Sequence, residues 1–255
     1  MNEERKLPRH KSVYILPNLL TTASLFVGFM GLVWAIAGDY ESCAMAILAS
    51  GLLDGLDGKV ARLTNTTSAF GVQLDTLADL AAFGVTPAVM AYLWQLKAFG
   101  NLGLMASFLL VACGALRLAR FNIQTPTASK KFFTGLPIPA AACTLATLVL
   151  FVPHVPERLV PDVLPVGCLV LVYLLSFLMV STVRFASFKE YGLIKAHPFS
   201  SMVTAILLFV LVASRPKLLG FLFFVGYIVS GPIYTVFFLS RRSAKLLRES
   251  HKELS

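Results

Sequence analysis

The chain has 255 residues, of which 57% are apolar and 14% are charged, and its mean hydropathy is +0.77. A soluble domain carries about 25% charged residues, so this composition excludes a soluble globular enzyme, a disordered chain and a disulfide-rich secreted module. The 22 basic and 13 acidic residues give a net charge of +9. In a membrane protein such an excess reflects cytoplasmic loops and anionic lipid more often than nucleic acid.

Eight apolar segments are candidates for membrane-spanning helices, each of which needs roughly 20 residues. In chain order they cover residues 17–37, 42–62, 70–94, 100–121, 135–153, 164–184, 199–214 and 219–240. Short connections join the segments, so the sequence predicts an all-α, polytopic membrane bundle of about eight transmembrane helices. Residues 1–15 are basic and sparsely apolar, which favours a short interfacial segment on the membrane surface.

The distribution of Lys and Arg tests this topology, because cytoplasmic loops of membrane proteins are enriched in basic residues. With eight spans, 18 of the 22 basic residues fall on one side of the membrane and four fall on the other. The four are Lys97, Arg158, Arg215 and Lys217. The uneven split predicts a multi-pass protein of the cytoplasmic membrane with both termini in the cytoplasm.

Four aspartates lie inside the second and third predicted spans, where an acidic side chain costs about 2.5–3.5 kcal/mol at a helix centre. They are Asp54, Asp57, Asp75 and Asp79. The first two are three positions apart and the last two are four apart, so each pair shares one helix face. Counting about 1.5 Å per residue from helix ends near Leu63 and Phe70 places both pairs roughly 8–14 Å from the cytoplasmic end.

Four facing carboxylates would repel one another, and in a low dielectric they would not all remain ionised. Divalent cations remove this repulsion, and oxygen ligands without a nearby His or Cys suit Mg²⁺ or Mn²⁺. Four carboxylates can hold two such ions, an arrangement that assists displacement at phosphorus. Small residues alternate with the acids in the second span and leave room for a ligand. Arg62, at the end of that span, is positioned to bind a phosphate. These small residues are Gly51, Gly55, Gly58 and Ala61.

The string Asp-x2-Asp-Gly-x2-Ala-Arg-x8-Gly-x3-Asp-x3-Asp covers residues 54–79. It matches the signature of the CDP-alcohol phosphatidyltransferases without a gap or a substitution, so the chain resembles that family. Residues 116–122 and 133–139 are similar to the branch of the family in which serine is the acceptor. The resemblance implies a six-span core within residues 16–190. Two additional spans then occupy residues 191–240, and a basic cytoplasmic tail occupies residues 241–255.

The resemblance implies transfer of the phosphatidyl group from CDP-diacylglycerol to the hydroxyl of L-serine, with release of CMP. By similarity, Asp54, Asp57 and Asp75 hold two Mg²⁺ or Mn²⁺ ions, and Asp79 both joins the metal site and acts as general base. The positions used for CDP-diacylglycerol are Asn18, Thr21, Gly58, Arg62 and Ser68. The lipid bilayer is then a partner and nucleic acid is not. A homodimer is expected because dimers are common in the family.

Free serine carries a carboxylate, so a basic residue at the inner end of the fourth, fifth or sixth span is expected to bind it. The candidates are Arg117, Arg120, Lys131 and Arg184. Arg117 and Arg120 are favoured because they are three positions apart and share a helix face. Each candidate also fits the simpler interpretation of a basic residue that only anchors its helix at the cytoplasmic surface.

Two alternatives remain open at this point. The same chemistry could use glycerol 3-phosphate or inositol phosphate as acceptor, since the chain has enough basic residues for a phosphorylated alcohol. A cation-coupled transporter could use the four acids as an ion site. The transporter is disfavoured, because transporters often repeat such features in both halves and here the acids occur once, in adjacent spans.

Overall fold

A computed structural model of the protein describes residues 15–64, 68–123, 132–157, 160–186 and 216–253. Within these residues the chain forms eight α-helices. They are α1 (Ile15–Ile36), α2 (Tyr40–Leu63), α3 (Ala69–Asp79), α4 (Thr86–Trp94), α5 (Asn101–Ile123), α6 (Ile138–Phe151), α7 (Val160–Val180) and α8 (Pro216–Glu253). A π-helical segment, Leu80–Val85, joins α3 to α4, and short 3-10 turns at Leu96–Phe99 and Val152–His154 follow α4 and α6.

The helices confirm a helical membrane bundle. They correspond to the first six predicted spans and the last one, with α3, the π-helical segment and α4 together forming the third. Among the described residues, five helical stretches are long and apolar enough to cross a membrane: Leu16–Ile36, Ala69–Trp94, Asn101–Ile123, Val160–Val180 and Lys217–Thr235. The acid-bearing α2 and the shorter apolar α6 complete the bundle. The seventh predicted span, at 199–214, and residues 1–14 lie outside the described residues, so the count of eight stays a prediction.

The core of the bundle is built around α6, in which every residue from Ala141 to Leu150 is buried. α2 and α8 pack against α6, while α5 packs against α7. Small residues allow these close approaches; at Gly114 of α5, for example, an added Cβ would lie 2.6 Å from the Cδ1 atom of Ile138. Lipid tails are as apolar as leucine, so close packing of this kind provides much of the driving force for helix association.

The π-helical segment Leu80–Val85 begins directly after Asp79. At its end the N–H of Thr86 donates to the carbonyl of Ala81, five residues back, where a regular α-helix would use the residue four back. Pro87 follows and has no N–H to continue the α-helical ladder. The sequence predicts one uninterrupted helix for this span. The structure instead changes from α-helical to π-helical hydrogen bonding directly after the acids and returns to an α-helix at Thr86.

A two-stranded antiparallel sheet pairs β1 (Phe132–Thr134) with β2 (Arg184–Ala186), and Thr134 lies opposite Arg184. It joins the start of α6 to the chain that follows α7. The sequence does not predict this sheet, because strands of three residues are too short to show a period-two pattern. The sheet also contacts α8, since the N–H of Arg184 donates to Oγ1 of Thr235 at 2.9 Å.

The two faces of the bundle are defined by contacts near the helix ends. One end of the bundle, which we call the site face, contains the end of α2, the start of α3, the end of α5 and the β1–β2 sheet. There the Nδ2 atom of Asn122 donates to Oγ1 of Thr76 at 3.0 Å, joining α5 to α3. On the opposite face, Lys217 at the start of α8 forms an ion pair with Glu41 at the start of α2.

Candidate active site

A cavity of about 490 Å³ opens between α1, α2 and α3 near the site face. Its volume falls within the roughly 300–1,000 Å³ that small-molecule sites occupy. The residues that line it are Pro17, Asn18, Thr21, Asp54, Gly55, Asp57, Gly58, Lys59, Ala61, Ser68, Gly71, Val72, Asp75 and Asp79. All four aspartates singled out in the sequence therefore line one cavity.

Three of the aspartates form a compact cluster. One carboxylate oxygen each from Asp54, Asp57 and Asp75 lies within 4.8 Å of the other two. The cluster arises because α2 ends at Leu63 and α3 begins at Ala69, so the two antiparallel helices bring their acids to similar depths. Asp57 is the most deeply buried of the three, with 4% of its surface exposed.

Asp79 lies beside this cluster and is not one of its three members. It is the last residue of α3, directly before the π-helical segment, and its side chain is half-buried. The charges of Asp54 and Asp75 act on Asp79 from within the cavity, and the guanidinium of Arg117 acts on it with the opposite sign. Asp79 therefore experiences the charges of both the acidic cluster and the buried Arg117 of α5.

The donor set of the cluster fits a hard divalent cation. Carboxylate oxygens are the ligands that Mg²⁺ and Mn²⁺ prefer, and no His or Cys belongs to this cluster among the described residues. Buried carboxylates at this separation also need a counter-charge, because their mutual repulsion is strong in a medium of low dielectric. The arrangement is therefore compatible with a metal site.

The residues proposed for the nucleotide lipid surround the cluster on the α1 and α3 sides. Ser68 caps α3, its Oγ atom accepting the N–H of Gly71 at 3.0 Å. Gly71 allows α3 to approach α1, because an added Cβ there would lie 3.1 Å from Oδ1 of Asn18. Thr21 donates from Oγ1 to Oδ2 of Asp57 at 2.7 Å, and Gly58 lines the cavity. The side chain of Arg62 lies outside the described part of the structure.

Lys59 also lines the cavity, although in the sequence it is only one of the 18 basic residues on the predicted cytoplasmic side. It occupies a variable position of the motif, between Gly58 and Ala61, so the motif itself gives no signal for it. Its helical position gives no signal either, because it follows Asp57 by two residues, and residues two apart do not share a helix face. Of the small residues, Gly55 faces open space, whereas a Cβ added at Gly51 would lie 3.8 Å from Sγ of Cys143.

The arginine candidates for serine occupy different environments. Arg117 is buried, with 9% of its surface exposed, and its guanidinium carbon lies 5.6 Å from the centre of the Phe121 ring. Arg120 instead donates to main-chain carbonyls at 3.1–3.4 Å. These carbonyls belong to Thr134, Met179, Val180 and Ser181. Arg184 lies in β2 and Lys131 lies outside the described residues.

The fold and the cavity define a multi-pass membrane protein with a carboxylate-lined ligand site near one face of its helical bundle. The family profile described as CDP-alcohol phosphatidyltransferase matches residues 14–173, which include every residue that lines the cavity. The chain belongs to the CDP-alcohol phosphatidyltransferase family.

Curated relatives agree with this family. The chain is 44% identical over 184 residues to CDP-diacylglycerol–serine O-phosphatidyltransferase of Helicobacter pylori, covering 70% of this chain and 74% of the relative. It is 32% identical over 180 residues to the protein of that name from Bacillus subtilis, covering 69% of this chain and 93% of the relative. Archaetidylserine synthase of Methanothermobacter thermautotrophicus is 38% identical over 141 residues, covering 54% of this chain and 59% of the relative.

Proposed function

We propose that the protein transfers the phosphatidyl group of CDP-diacylglycerol to the hydroxyl of L-serine, forming phosphatidylserine and releasing CMP. The observation that carries the proposal is the cavity in which Asp54, Asp57 and Asp75 form a cluster beside Asp79. Support for serine as acceptor comes from the names of the relatives, which include serine transferases and a synthase of archaetidylserine.

The four cavity aspartates are the proposed ligands of two divalent cations, Mg²⁺ or Mn²⁺. When bound, such ions offset negative charge on a pyrophosphate and on the oxygen of a leaving phosphate. Asp54, Asp57 and Asp75 suit this role because their oxygens converge from two facing helices. Asp79 is included in the proposed set because it lines the same cavity beside the cluster.

CDP-diacylglycerol is proposed to bind with its nucleotide in the cavity and its acyl chains in lipid. Asn18, Gly58 and Ser68 are proposed contacts because they line the cavity around the acids. Thr21 and Arg62 belong to the same proposed set. Lys59 adds an ammonium group to the lining, and an ammonium suits the negative charge of a pyrophosphate.

Asp79 is the proposed general base. It accepts the proton of the serine hydroxyl as the serine oxygen bonds to the phosphorus that carries diacylglycerol. The bond from this phosphorus to the bridging oxygen breaks, and that oxygen leaves as part of CMP. Arg117 is the proposed partner of the serine carboxylate, because its buried guanidinium acts on Asp79 electrostatically. A serine between the two residues would have its carboxylate at Arg117 and its hydroxyl at Asp79.

Arg120 is assigned a structural role within this proposal, since its guanidinium donates to carbonyls at the end of α7 and in β1. Arg184 and Lys131 remain secondary candidates for the acceptor pocket. The site face is proposed to be cytoplasmic, because 18 of the 22 basic residues fall on that side in the eight-span topology. A homodimer in the cytoplasmic membrane is the proposed assembly, on the family resemblance.

The activity is tested with purified protein in detergent, CDP-diacylglycerol and either Mg²⁺ or Mn²⁺. Each candidate alcohol is supplied separately, and release of CMP is measured. We expect CMP release with L-serine and its loss on addition of a chelator. CMP release only with glycerol 3-phosphate or inositol phosphate would overturn serine as acceptor, and no release with any alcohol would overturn the enzyme assignment.

A further inference from the structure

The hydroxyl of Thr21 points at a carboxylate of the acidic cluster. Its Oγ1 atom lies 2.7 Å from Oδ2 of Asp57 and 3.1 Å from the carbonyl oxygen of Pro17. A hydroxyl has one proton to donate, and the carboxylate is both the closer and the stronger acceptor. Thr21 and Asp57 are buried, with 5% and 4% of their surfaces exposed. The hydrogen bond is therefore well shielded from water.

A second polar contact fixes the same two helices next to this bond. The Oγ atoms of Ser24 and Ser50 lie 2.7 Å apart, and each also lies 3.0 Å from the main-chain carbonyl oxygen of the other residue. Ser24 lies three residues after Thr21 on α1, and Ser50 lies four residues before Asp54 on α2. By helical spacing, each serine is on the face that carries its neighbour in the site.

From this geometry we propose that Thr21 is a positioning residue for the metal-binding carboxylate of Asp57, and that the Ser24–Ser50 pair sets the register that brings Thr21 to it. This inference rests on the proposed metal site. A donor on Oδ2 fixes the rotation of the carboxylate, which would otherwise turn away from two neighbouring acids. Groups that orient metal ligands in this way commonly change metal affinity 10–100-fold when removed.

The test measures binding of Mn²⁺ to the purified protein by electron paramagnetic resonance, without either substrate. Thr21→Val removes the donor, Thr21→Ser keeps it, and Thr21→Ala is a second deletion if the valine variant does not fold. Thr22→Val is the matched control, because Thr22 is exposed on the same helix and its hydroxyl donates to the carbonyl of Asn18.

We expect Thr21→Val and Thr21→Ala to raise the Kd for Mn²⁺ about 10–100-fold. Thr21→Ser and Thr22→Val should stay close to the parent protein. In the CMP-release assay, the deletions should raise the half-saturating Mn²⁺ concentration. At saturating Mn²⁺ the KM for CDP-diacylglycerol should rise much less than the Kd for Mn²⁺, because only the minor role of Thr21 as a cavity-lining contact is then lost.

Unchanged Mn²⁺ affinity in the deletion variants would overturn the positioning role. A raised KM for CDP-diacylglycerol in those variants, with normal Mn²⁺ binding, would show that Thr21 contacts the nucleotide lipid instead. Mn²⁺ binding by the parent protein distinguishes failure of the positioning role from failure of the proposed metal site. If the parent binds no Mn²⁺, the proposed metal site itself is wrong and the positioning role is wrong with it.

Discussion

At the residue scale, Asp79 differs from the three clustered aspartates in its place along the helix. It ends α3, directly before the π-helical segment, and lies under the influence of Arg117 as well as of the other acids. A residue under the electrostatic influence of both the acidic cluster and a buried cation is suited to proton transfer. The clustered aspartates are better suited to holding charge in place.

We expect Asp79→Asn to lower kcat about 10²–10⁴-fold, the usual contribution of a general base, because an amide cannot accept the serine proton. Equilibrium binding of CDP-diacylglycerol should be largely retained. Both quantities can be measured on the same detergent preparation, with Asp162→Asn as control, since Asp162 is an exposed acid in the first turn of α7. Full activity in the Asp79 variant would remove this residue from the base role.

Arg117→Ala is predicted to raise the KM for serine about 10–100-fold, which corresponds to the roughly 1.5–3 kcal/mol of a hydrogen bond to a charged group. The KM for CDP-diacylglycerol should change much less. Arg120→Ala serves as a comparison, because loss of its bonds to main-chain carbonyls should lower the Tm instead. If both KM values rise equally in Arg117→Ala, the arginine is not specific to the acceptor.

Lys59→Gln should raise the KM for CDP-diacylglycerol about tenfold with a smaller effect on kcat, since it removes a positive charge from the cavity lining. Lys97→Gln is the matched control, because Lys97 is an exposed lysine in the 3-10 turn after α4, on the opposite face of the bundle. Steady-state kinetics of both variants measure the KM for CDP-diacylglycerol and kcat. Equal behaviour of the two would exclude Lys59 from the nucleotide-lipid site.

At the element scale, the site depends on how closely α1 approaches its neighbours. Gly28 faces the π-helical segment so closely that an added Cβ would lie 2.5 Å from the Cβ of Ala82. The Oγ1 atom of Thr86, the first residue of α4, donates to the carbonyl of Gly28 at 3.0 Å and so joins α1 to α4. Through these contacts α1 is held against the span that carries Asp75 and Asp79.

Gly28→Ala is therefore expected to destabilise the protein by about 1–3 kcal/mol, the usual cost of overpacking. Gly167→Ala provides the contrast, because Gly167 is exposed on α7 and an added Cβ would meet no atom within 4 Å. There the better helix propensity of alanine should leave the Tm unchanged or raise it. Thermal unfolding in one detergent measures both variants. A Gly28 variant as stable as the parent would show that α1 can shift without cost.

At the scale of the whole molecule, different contacts hold the two ends of the bundle. Lys217 pairs with Glu41 at the face opposite to the cavity. The β1–β2 sheet and the end of α5 lie at the site face, with α8 reaching the sheet through Thr235. The cavity therefore opens near the end of the bundle that lies away from the Lys217–Glu41 pair.

The cytoplasmic location of the site face can be tested with single cysteines introduced at Thr64 and at Lys97. The four native cysteines are buried, so we expect them to react little with a membrane-impermeant maleimide. In intact cells we expect labelling of Lys97→Cys only, because Thr64 lies beside the α2–α3 connection. Inverted vesicles should give labelling of Thr64→Cys only. The reverse pattern would place the active site outside the cytoplasm.

The sequence predicts which aspartates come together, but it does not predict how the two arginines of α5 differ. The motif spacing brings Asp54, Asp57 and Asp75 together. In two antiparallel helices with a short connection, residues that are equally far from the connection lie at similar depths. The same reasoning treats Arg117 and Arg120 as equivalent, since they share a face of one helix. They diverge in the structure because the end of α7 supplies carbonyl acceptors within reach of only one of them.

The sequence by itself determined the membrane class, the approximate spans and the family, because hydropathy and motif spacing are properties of short stretches of chain. Only the tertiary structure decided which hydroxyl reaches Asp57, where the third span changes its helical pitch, and how a short sheet ties α6 to α8. Thr21 and Asp57 are 36 residues apart, and Arg120 and Val180 are 60 apart. Contacts between such distant residues follow from how the helices pack, which no local pattern specifies.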